Sequence, residues 1–286
     1  MARRQKMEVG GLNIRLHPHS EDRYRDFVYA LYRLKAVTSI RGDRSGLITS
    51  IDRRSDEKTV IGGVITTFLE IDMKGEWFNT DTMMEASTNE IEAINIPTHL
   101  RPNVKSYRFN FDVTDHSLVF EHYSEQERLT HHSALTFFRN LASNRKLGTE
   151  FGDVKISIIQ SKGSADRIFS IPRITDLDIL IEKPNADLWG GNFEELAEEH
   201  LENKNARSMN VVYKAEAGRG IERDSDLNTL VAASLRNGRT VAKGYGPNGH
   251  VRVSTDDYPK VVQDMYEEDM APSSVFERLS RAFRRR

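Results

Sequence analysis

One stretch of the sequence, residues 162–185, carries residue types at a spacing that could support phosphoryl chemistry. Gly163 and Ser164 are followed, after eleven further residues, by Asp176 and Asp178. Residues i and i+2 of a β-strand point to the same face of the sheet, so the two aspartates could hold a divalent cation side by side. A glycine at the start of a helix lets phosphate oxygens approach the backbone. One hypothesis is therefore a metal-dependent site that transfers or cleaves phosphate groups.

The spacing resembles the signature of polymerase-beta-like nucleotidyltransferases, but the surrounding residues depart from that signature. Lys162 stands where that family usually has a bulky apolar residue, and the segment between the motifs includes Ile168, which is typical of a core. A third carboxylate on a later strand is not evident. A nuclease site that combines Asp178 with Glu182 and Lys183 is weaker still, because adjacent strand residues point to opposite faces. Catalysis by the two aspartates is therefore the alternative hypothesis.

The composition sets limits on the class of protein. The 286 residues are 38% hydrophobic and 29% charged, which is enough apolar material for one large or two ordinary domains. The formal net charge is −2, so a surface that attracts nucleic acid must be local. The absence of cysteine excludes disulfides and thiolate metal sites. No apolar run is long enough to span a membrane, and none follows the basic N-terminus, so we expect a cytoplasmic protein.

Apolar periodicity and turn sequences predict an α+β protein with two mixed domains, largely antiparallel sheets and packed helices. Helices are predicted at 20–35, 130–141, 165–169, 193–201 and 227–235. Strands are predicted at 46–51, 60–71, 105–113, 118–123, 154–160, 177–181, 208–214, 240–245 and 250–253. The predicted bounds are 1–146 for an N-terminal domain, 147–270 for a C-terminal domain and 271–286 for a terminal segment.

The terminal segment is predicted to form a basic amphipathic helix. Its apolar residues share one face; they are Val275, Phe276, Leu279 and Phe283. Its arginines lie mostly on the other face; they are Arg278, Arg281, Arg284 and Arg285. Such a helix can bind nucleic acid, a partner groove or a membrane, or it can pack on the body with its arginines in solvent. Packing on the body is the competing interpretation. Among the binding roles, nucleic acid is favoured because the apolar face is short.

Basic residues also cluster between positions 204 and 252. The candidate nucleic-acid-binding residues are Arg207, Lys214, Arg219, Arg223, Arg236, Arg239, Lys243 and Arg252. The sequence Gly246-Pro247-Asn248-Gly249 predicts a hairpin that carries three of these cations, with Tyr245 and His250 beside them. Such a ribbon can lie along a DNA groove and contact phosphates without reading bases. A hairpin of ordinary, solvated charge is the competing interpretation.

The nine histidines predict no metal or catalytic site. They lack the H-E-x-x-H pattern, and the adjacent pair His131-His132 is a poor chelator because helical neighbours do not face each other. We expect them at the surface or at helix ends. Phosphate-loop and serine-elbow motifs are also absent, so the sequence implies no cofactor and no bound metal.

Three segments of the C-terminal half resemble the RexA proteins of phage exclusion systems and their bacterial relatives. The segments read DRIFSIPRITDLDILIEKPNADLWG, LENKNARSMNVVYKAEAGRGI and VAASLRNGRTVAKGYGPNGHVRVSTDDYP, and the RexA-like region covers about 153–259. The shared features are a strand of type L-x-I-x-I followed by Lys-Pro-Asn, then a helix, a strand, a helix that ends in Asn-Gly, and a glycine-containing hairpin. The resemblance implies a dimeric protein that binds double-stranded DNA regardless of sequence and acts in abortive infection. It implies no catalytic residues.

We therefore expect a cytoplasmic DNA-binding protein of a bacterial or prophage anti-phage defence system, without catalysis. It would act as a homodimer that senses or regulates together with an effector partner protein, and it would clamp duplex DNA between its domains. The same arginines would also attract structured RNA. The alternative is a metal-dependent nucleotidyltransferase or nuclease that uses Asp176 and Asp178.

Overall fold

The computed structural model describes residues 4–17, 20–52, 59–182, 201 and 203–284, without the side chains of residues 236 and 237. The predicted α+β class is confirmed, and every pair of neighbouring strands in its sheets is antiparallel. The described helices are α1 (Glu21–Arg33), α2 (Thr88–Glu92), α3 (His131–Ala142), α4 (Arg145–Phe151), α5 (Ser164–Phe169), α6 (Ser225–Asn237) and α7 (Pro272–Arg284). The helix predicted at 193–201 falls almost entirely outside the described residues.

The strands form two main sheets and one small ribbon. Those of the larger sheet are β1 (Arg4–Arg15), β2 (Thr38–Arg41), β3 (Arg44–Ile51), β4 (Val60–Leu69), β7 (Lys105–Asp112), β8 (Ser117–Ser124), β9 (Glu127–Arg128), β10 (Lys155–Ile158) and β15 (Val262–Glu267). Those of the smaller sheet are β11 (Arg173–Glu182), β12 (Ser208–Lys214), β13 (Gly238–Gly246) and β14 (Gly249–Ser254). The ribbon pairs β5 (Phe78–Asn79) with β6 (Met84–Glu85).

Strand β1 lies second from one edge of the larger sheet and pairs with three other strands. It pairs with β8 along one side, while β15 and β10 pair with its first and second parts along the other side. The main path of the sheet runs β10-β1-β8-β7-β4-β3-β2. The strand β1 thus joins segments from both ends of the chain. The predicted boundary at 146 stays a prediction, but β10 and β15 lie beyond that boundary and belong to this sheet.

Helices α1 and α3 cover one face of the larger sheet. In α1, Ser20 accepts a hydrogen bond from the Arg23 backbone N–H, and Phe27 and Leu31 are buried, as the periodicity predicted. In β7, the alternating aromatic residues Phe109 and Phe111 face the same core. This face therefore carries the main hydrophobic core of the molecule.

Helix α7 covers part of the opposite face of the larger sheet. Its apolar residues Val275, Phe276, Leu279 and Phe283 are all buried, in a cluster with Met7 and other residues of β1, β8 and β15. The helix thus packs on the body of the protein, and its apolar face is not available to a membrane surface. Among the helices of the described ranges, none combines the length and the apolar character needed to cross a bilayer.

The smaller sheet, in the order β12-β11-β13-β14, has α5 and α6 on one face. Leu177, Ile179 and Ile181 of β11 point into this core. Gly238 follows α6, but its backbone is extended rather than left-handed. The residue must be glycine because a Cβ there would collide with the backbone carbonyl oxygen of Leu180. Gly238 therefore allows a close approach between β13 and β11.

Polar side-chain contacts near one end of the smaller sheet join it to the larger sheet. The guanidinium of Arg15 in β1, which is 1% exposed, pairs with the carboxylate of Glu182 at the end of β11. The amide Nε2 of Gln160 donates to the backbone oxygen of Gly238 at 2.8 Å and to Asp256 Oδ1 at 3.1 Å. Because an unpaired buried charge is costly, the Arg15–Glu182 contact fixes how the end of β11 meets the larger sheet.

The substitution E182Q tests this contact. It leaves the Arg15 guanidinium buried without its carboxylate, so we expect the free energy of unfolding to fall by about 3 kcal/mol. Urea denaturation followed by circular dichroism measures the loss. The control is E216Q, which removes a carboxylate from the Arg219–Glu216 pair, whose side chains are 79% and 80% exposed. Equal stability of E182Q and E216Q would contradict the structural role of the contact.

Candidate functional site

The face of the smaller sheet opposite α5 and α6 gathers the charged residues of its four strands. Strand alternation sends the apolar side chains of β11 into the core, so Asp176 and Asp178 point to the other side. We call this surface the open face. Its residues are Arg173, Asp176, Asp178, Leu180, Val212, Lys214, Arg239, Val241, Lys243, Tyr245, His250 and Arg252.

A row of charges crosses the open face perpendicular to the strands. Asp176 pairs in register with Lys214 on one side and with Lys243 on the other, and Lys243 pairs with Arg252. All three cations are exposed. Neighbouring strands lie about 5 Å apart, so the cations are spaced over about 15 Å. The row is therefore a positively charged strip interrupted by a single carboxylate.

An aromatic row lies next to the charged row, two residues further along β13. Arg173, Tyr245 and His250 occupy neighbouring positions on β11, β13 and β14. The Arg173 guanidinium lies over the Tyr245 ring at 4.4 Å from its centroid, and the His250 ring meets Tyr245 edge-on at 5.7 Å. Tyr245 is 45% exposed. The sheet thus presents a large, oriented and solvent-accessible aromatic ring.

Arg239 lies at the opposite end of the open face, near the junction with the larger sheet. It is exposed and stands across from Leu180 on β11. Burial raises the pKa of Asp256, while the positive charges of Arg239, His132 and Arg139 act in the opposite direction. Arg239 therefore stabilises a partly buried carboxylate, and less of its charge is available to a ligand.

The remaining predicted cations of the C-terminal half lie outside the charged row of the open face. The Arg207 guanidinium pairs with Asp153 at 2.9 Å, and Arg219 pairs with Glu216 at 3.6 Å. Arg223 lies over the Phe169 ring at 4.2 Å, on the helical side of the sheet. The side chain of Arg236 falls outside the described residues. The structure thus brings together four of the eight predicted positions, which are Lys214, Arg239, Lys243 and Arg252.

The arginines of α7 form a separate surface. Arg278 donates to Asp264 Oδ2 at 2.5 Å, and Arg284, which is largely buried, lies 3.5 Å from Asp112. Arg281 is exposed, and Arg285 falls outside the described residues. These side chains support the docking of the helix on the larger sheet and do not extend the open face.

The carboxylates of the alternative, metal-dependent hypothesis do not converge on a metal site in the described part of the chain. No group of three or more His, Cys, Asp or Glu side chains is placed there to hold a metal ion. Asp176 accepts a hydrogen bond from Thr175 Oγ1 at 2.8 Å, and Glu182 is engaged by Arg15. The Ser164 hydroxyl is buried and donates to the Ser161 carbonyl at 2.6 Å, so it serves the local turn.

Two histidines depart from the expected positions at the surface or at helix ends, because His116 and His122 are buried outside helices. His131 begins α3, as expected of a histidine at a helix end, but it is buried as well. The rings of His122 and His131 contact each other with centroids 4.4 Å apart, although the sequence pairs His131 with His132. His131 packs against the backbone of Gly10, where a Cβ would collide with the ring. The contact joins β8 and α3 through two neutral rings in the core.

This histidine pair predicts acid sensitivity. Burial is the largest cause that lowers the pKa of His131 to about 3, and it also lowers the pKa of His122. The folded state then binds fewer protons than the unfolded state below about pH 6.5, so stability falls as the pH falls. From about pH 7 to about pH 5, His131 alone should account for a loss of about 2 kcal/mol.

The variant H131N isolates this contribution, because asparagine keeps a polar group and does not titrate. Urea unfolding at the two pH values should show a pH dependence that is weaker by about 2 kcal/mol in H131N than in the wild type. H99N, which changes an exposed histidine outside this pair, is the control and should keep the wild-type difference in stability between the two pH values. The same pH dependence in H131N and wild type would refute this assignment.

Arg173 is the open-face cation that the sequence pattern does not reveal. Strict alternation from Leu177 would place Arg173 in the core. The register between β11 and β13 shifts between Ile174 and Asp176, so a β-bulge turns Arg173 outward. The cluster of Arg173 with Tyr245 therefore depends on a backbone irregularity that has no signature in the residues themselves.

Comparison of the sequence with models of protein families gives a match over most of the chain. A family model described as Domain of unknown function (DUF4747) matches residues 5–281. The match includes both sheets, the open face and most of α7. A comparison with curated proteins returns no match.

Proposed function

The chain belongs to the DUF4747 family, and we propose that it binds double-stranded DNA through the open face, independently of base sequence. The observation that carries the proposal is the in-register row of Lys214, Lys243 and Arg252 across the smaller sheet. Long cationic side chains on a flat surface suit phosphate oxygens, which repeat along any DNA strand.

The balance of charge on the open face supports an anionic ligand. Five cations and two aspartates point outward, and the remaining carboxylate of β11, that of Glu182, is engaged by Arg15. The outward cations are Arg173, Lys214, Arg239, Lys243 and Arg252. Since the whole chain has a formal net charge of −2, this local excess would orient the protein toward DNA.

Sequence independence follows from the kind of contact. Phosphate contacts position a protein on DNA and carry no base information, whereas reading bases requires an element that enters a groove. The open face is a sheet surface whose cations are spread over four strands. The RexA-like resemblance of the C-terminal half supports the same ligand, and it extends the proposal to an anti-phage role with dimerisation and an effector partner.

Charge reversal on the row tests the proposal. In K243E/R252E, two phosphate contacts become repulsions, so we expect the affinity for duplex DNA to fall at least about tenfold at low salt. The dependence of log affinity on log salt should also become shallower by about 2, one for each lost contact. Fluorescence anisotropy with two unrelated duplexes, titrated at several salt concentrations, measures both quantities.

The matched control is R41E/R278E, which makes the same change in net charge at two exposed arginines away from the open face, one on β2 at the far edge of the larger sheet and one on α7. It should bind duplex DNA within about twofold of the wild type if the location of the charge matters more than its sum. If both double variants lose the same DNA affinity, net charge explains the effect and the location of the charges does not. No binding of the wild type at low salt would overturn the proposal.

The aspartates of the open face provide a test that separates binding from catalysis. D176N/D178N removes two negative charges beside the cationic row, so DNA affinity should rise severalfold. A metal-dependent enzyme would instead lose its activity in this variant. Anisotropy, together with a nuclease and nucleotidyl-transfer assay with Mg²⁺ or Mn²⁺, distinguishes the outcomes, and weaker DNA binding by D176N/D178N would contradict the electrostatic proposal.

A further inference from the structure

Phosphate binding does not explain the aromatic row on the open face. Tyr245 exposes 45% of its surface, although a tyrosine on a charged sheet face gains little from contact with water. The Arg173 guanidinium over one side of the ring and His250 at its edge hold the side chain in one orientation. An oriented, exposed ring beside a cationic strip is the arrangement by which proteins stack nucleic-acid bases.

The charged row and the aromatic row lie close enough together to contact the same strand of nucleic acid. Tyr245 lies two residues beyond Lys243 on the same face of β13, which is about 7 Å along the strand. The backbone of a strand held on the Lys243–Arg252 row would therefore place its bases within reach of the Tyr245 ring. Inside an intact duplex, however, both sides of each base are covered by its neighbours, so only an unpaired base can stack on the ring.

We propose that Tyr245, held by Arg173 and His250, stacks an unpaired base, so that the preferred ligand is duplex DNA that carries a single-stranded extension. The inference rests on the proposed function, because the phosphates must first lie on the cationic row. It names the form of DNA that this row binds best. Base stacking on an aromatic ring tolerates any sequence, which agrees with recognition through phosphates.

The experiment compares two probes by fluorescence anisotropy: a blunt duplex and the same duplex with a single-stranded thymine extension. Wild-type protein should bind the extended duplex about tenfold more tightly than the blunt one. Y245A should lose this preference and bind both probes with the affinity of the wild type for the blunt duplex. Y245F keeps the ring and should retain most of the preference.

The control is Y213A, which removes a tyrosine of similar exposure, 38%, from β12 on the other side of the sheet. It should keep the preference for the extended probe. If the wild type binds both probes equally while K243E/R252E weakens both, the stacking inference fails and DNA binding stands. If the wild type binds neither probe, both proposals fail. If Y245A keeps the preference for the extended probe, the base does not stack on Tyr245 and the inference is wrong.

Discussion

Burial of one face of β11 is the constraint on which the arrangement of the smaller sheet depends. Leu177, Ile179 and Ile181 are buried against α5 and α6, and the period of two in a strand then sends Asp176 and Asp178 to the opposite face. A slip of one residue would bury both aspartates and expose the isoleucines. The hydrophobic core thus sets the register, and the register places the charges of four strands in rows.

The same strand is attached to the rest of the molecule at its end. Glu182 pairs with Arg15, which is buried in strand β1 of the larger sheet, and Gln160 adds hydrogen bonds to β13 and to Asp256. Because β1 also pairs with β15, the first and last strands of the chain are neighbours in the larger sheet. The smaller sheet is therefore held by polar contacts near one end, while its charged and aromatic rows lie toward the other.

Local patterns in the sequence predict local structure well, as α1 with its Ser20 cap and the β13–β14 hairpin demonstrate. The apolar face of α7 was also evident, since helical periodicity needs no knowledge of the partner surface. Three features depend on distant residues and could not be predicted. These are the pairing of β1 with β10 and β15, the contact of His122 with His131, and the bulge that turns Arg173 outward.

The candidate site, too, could be predicted from the sequence only in part. Lys214, Lys243 and Arg252 were candidates from charge alone, but only the strand register separates them from Arg207, Arg219 and Arg223, whose charges are satisfied elsewhere. Asp176 in the middle of the row limits how strongly the strip attracts phosphate. A site that relied on charge alone would gain from replacing this aspartate. Its presence beside an oriented tyrosine fits the proposed surface, in which long-range attraction would be moderate and short-range stacking would supply the selectivity between forms of DNA.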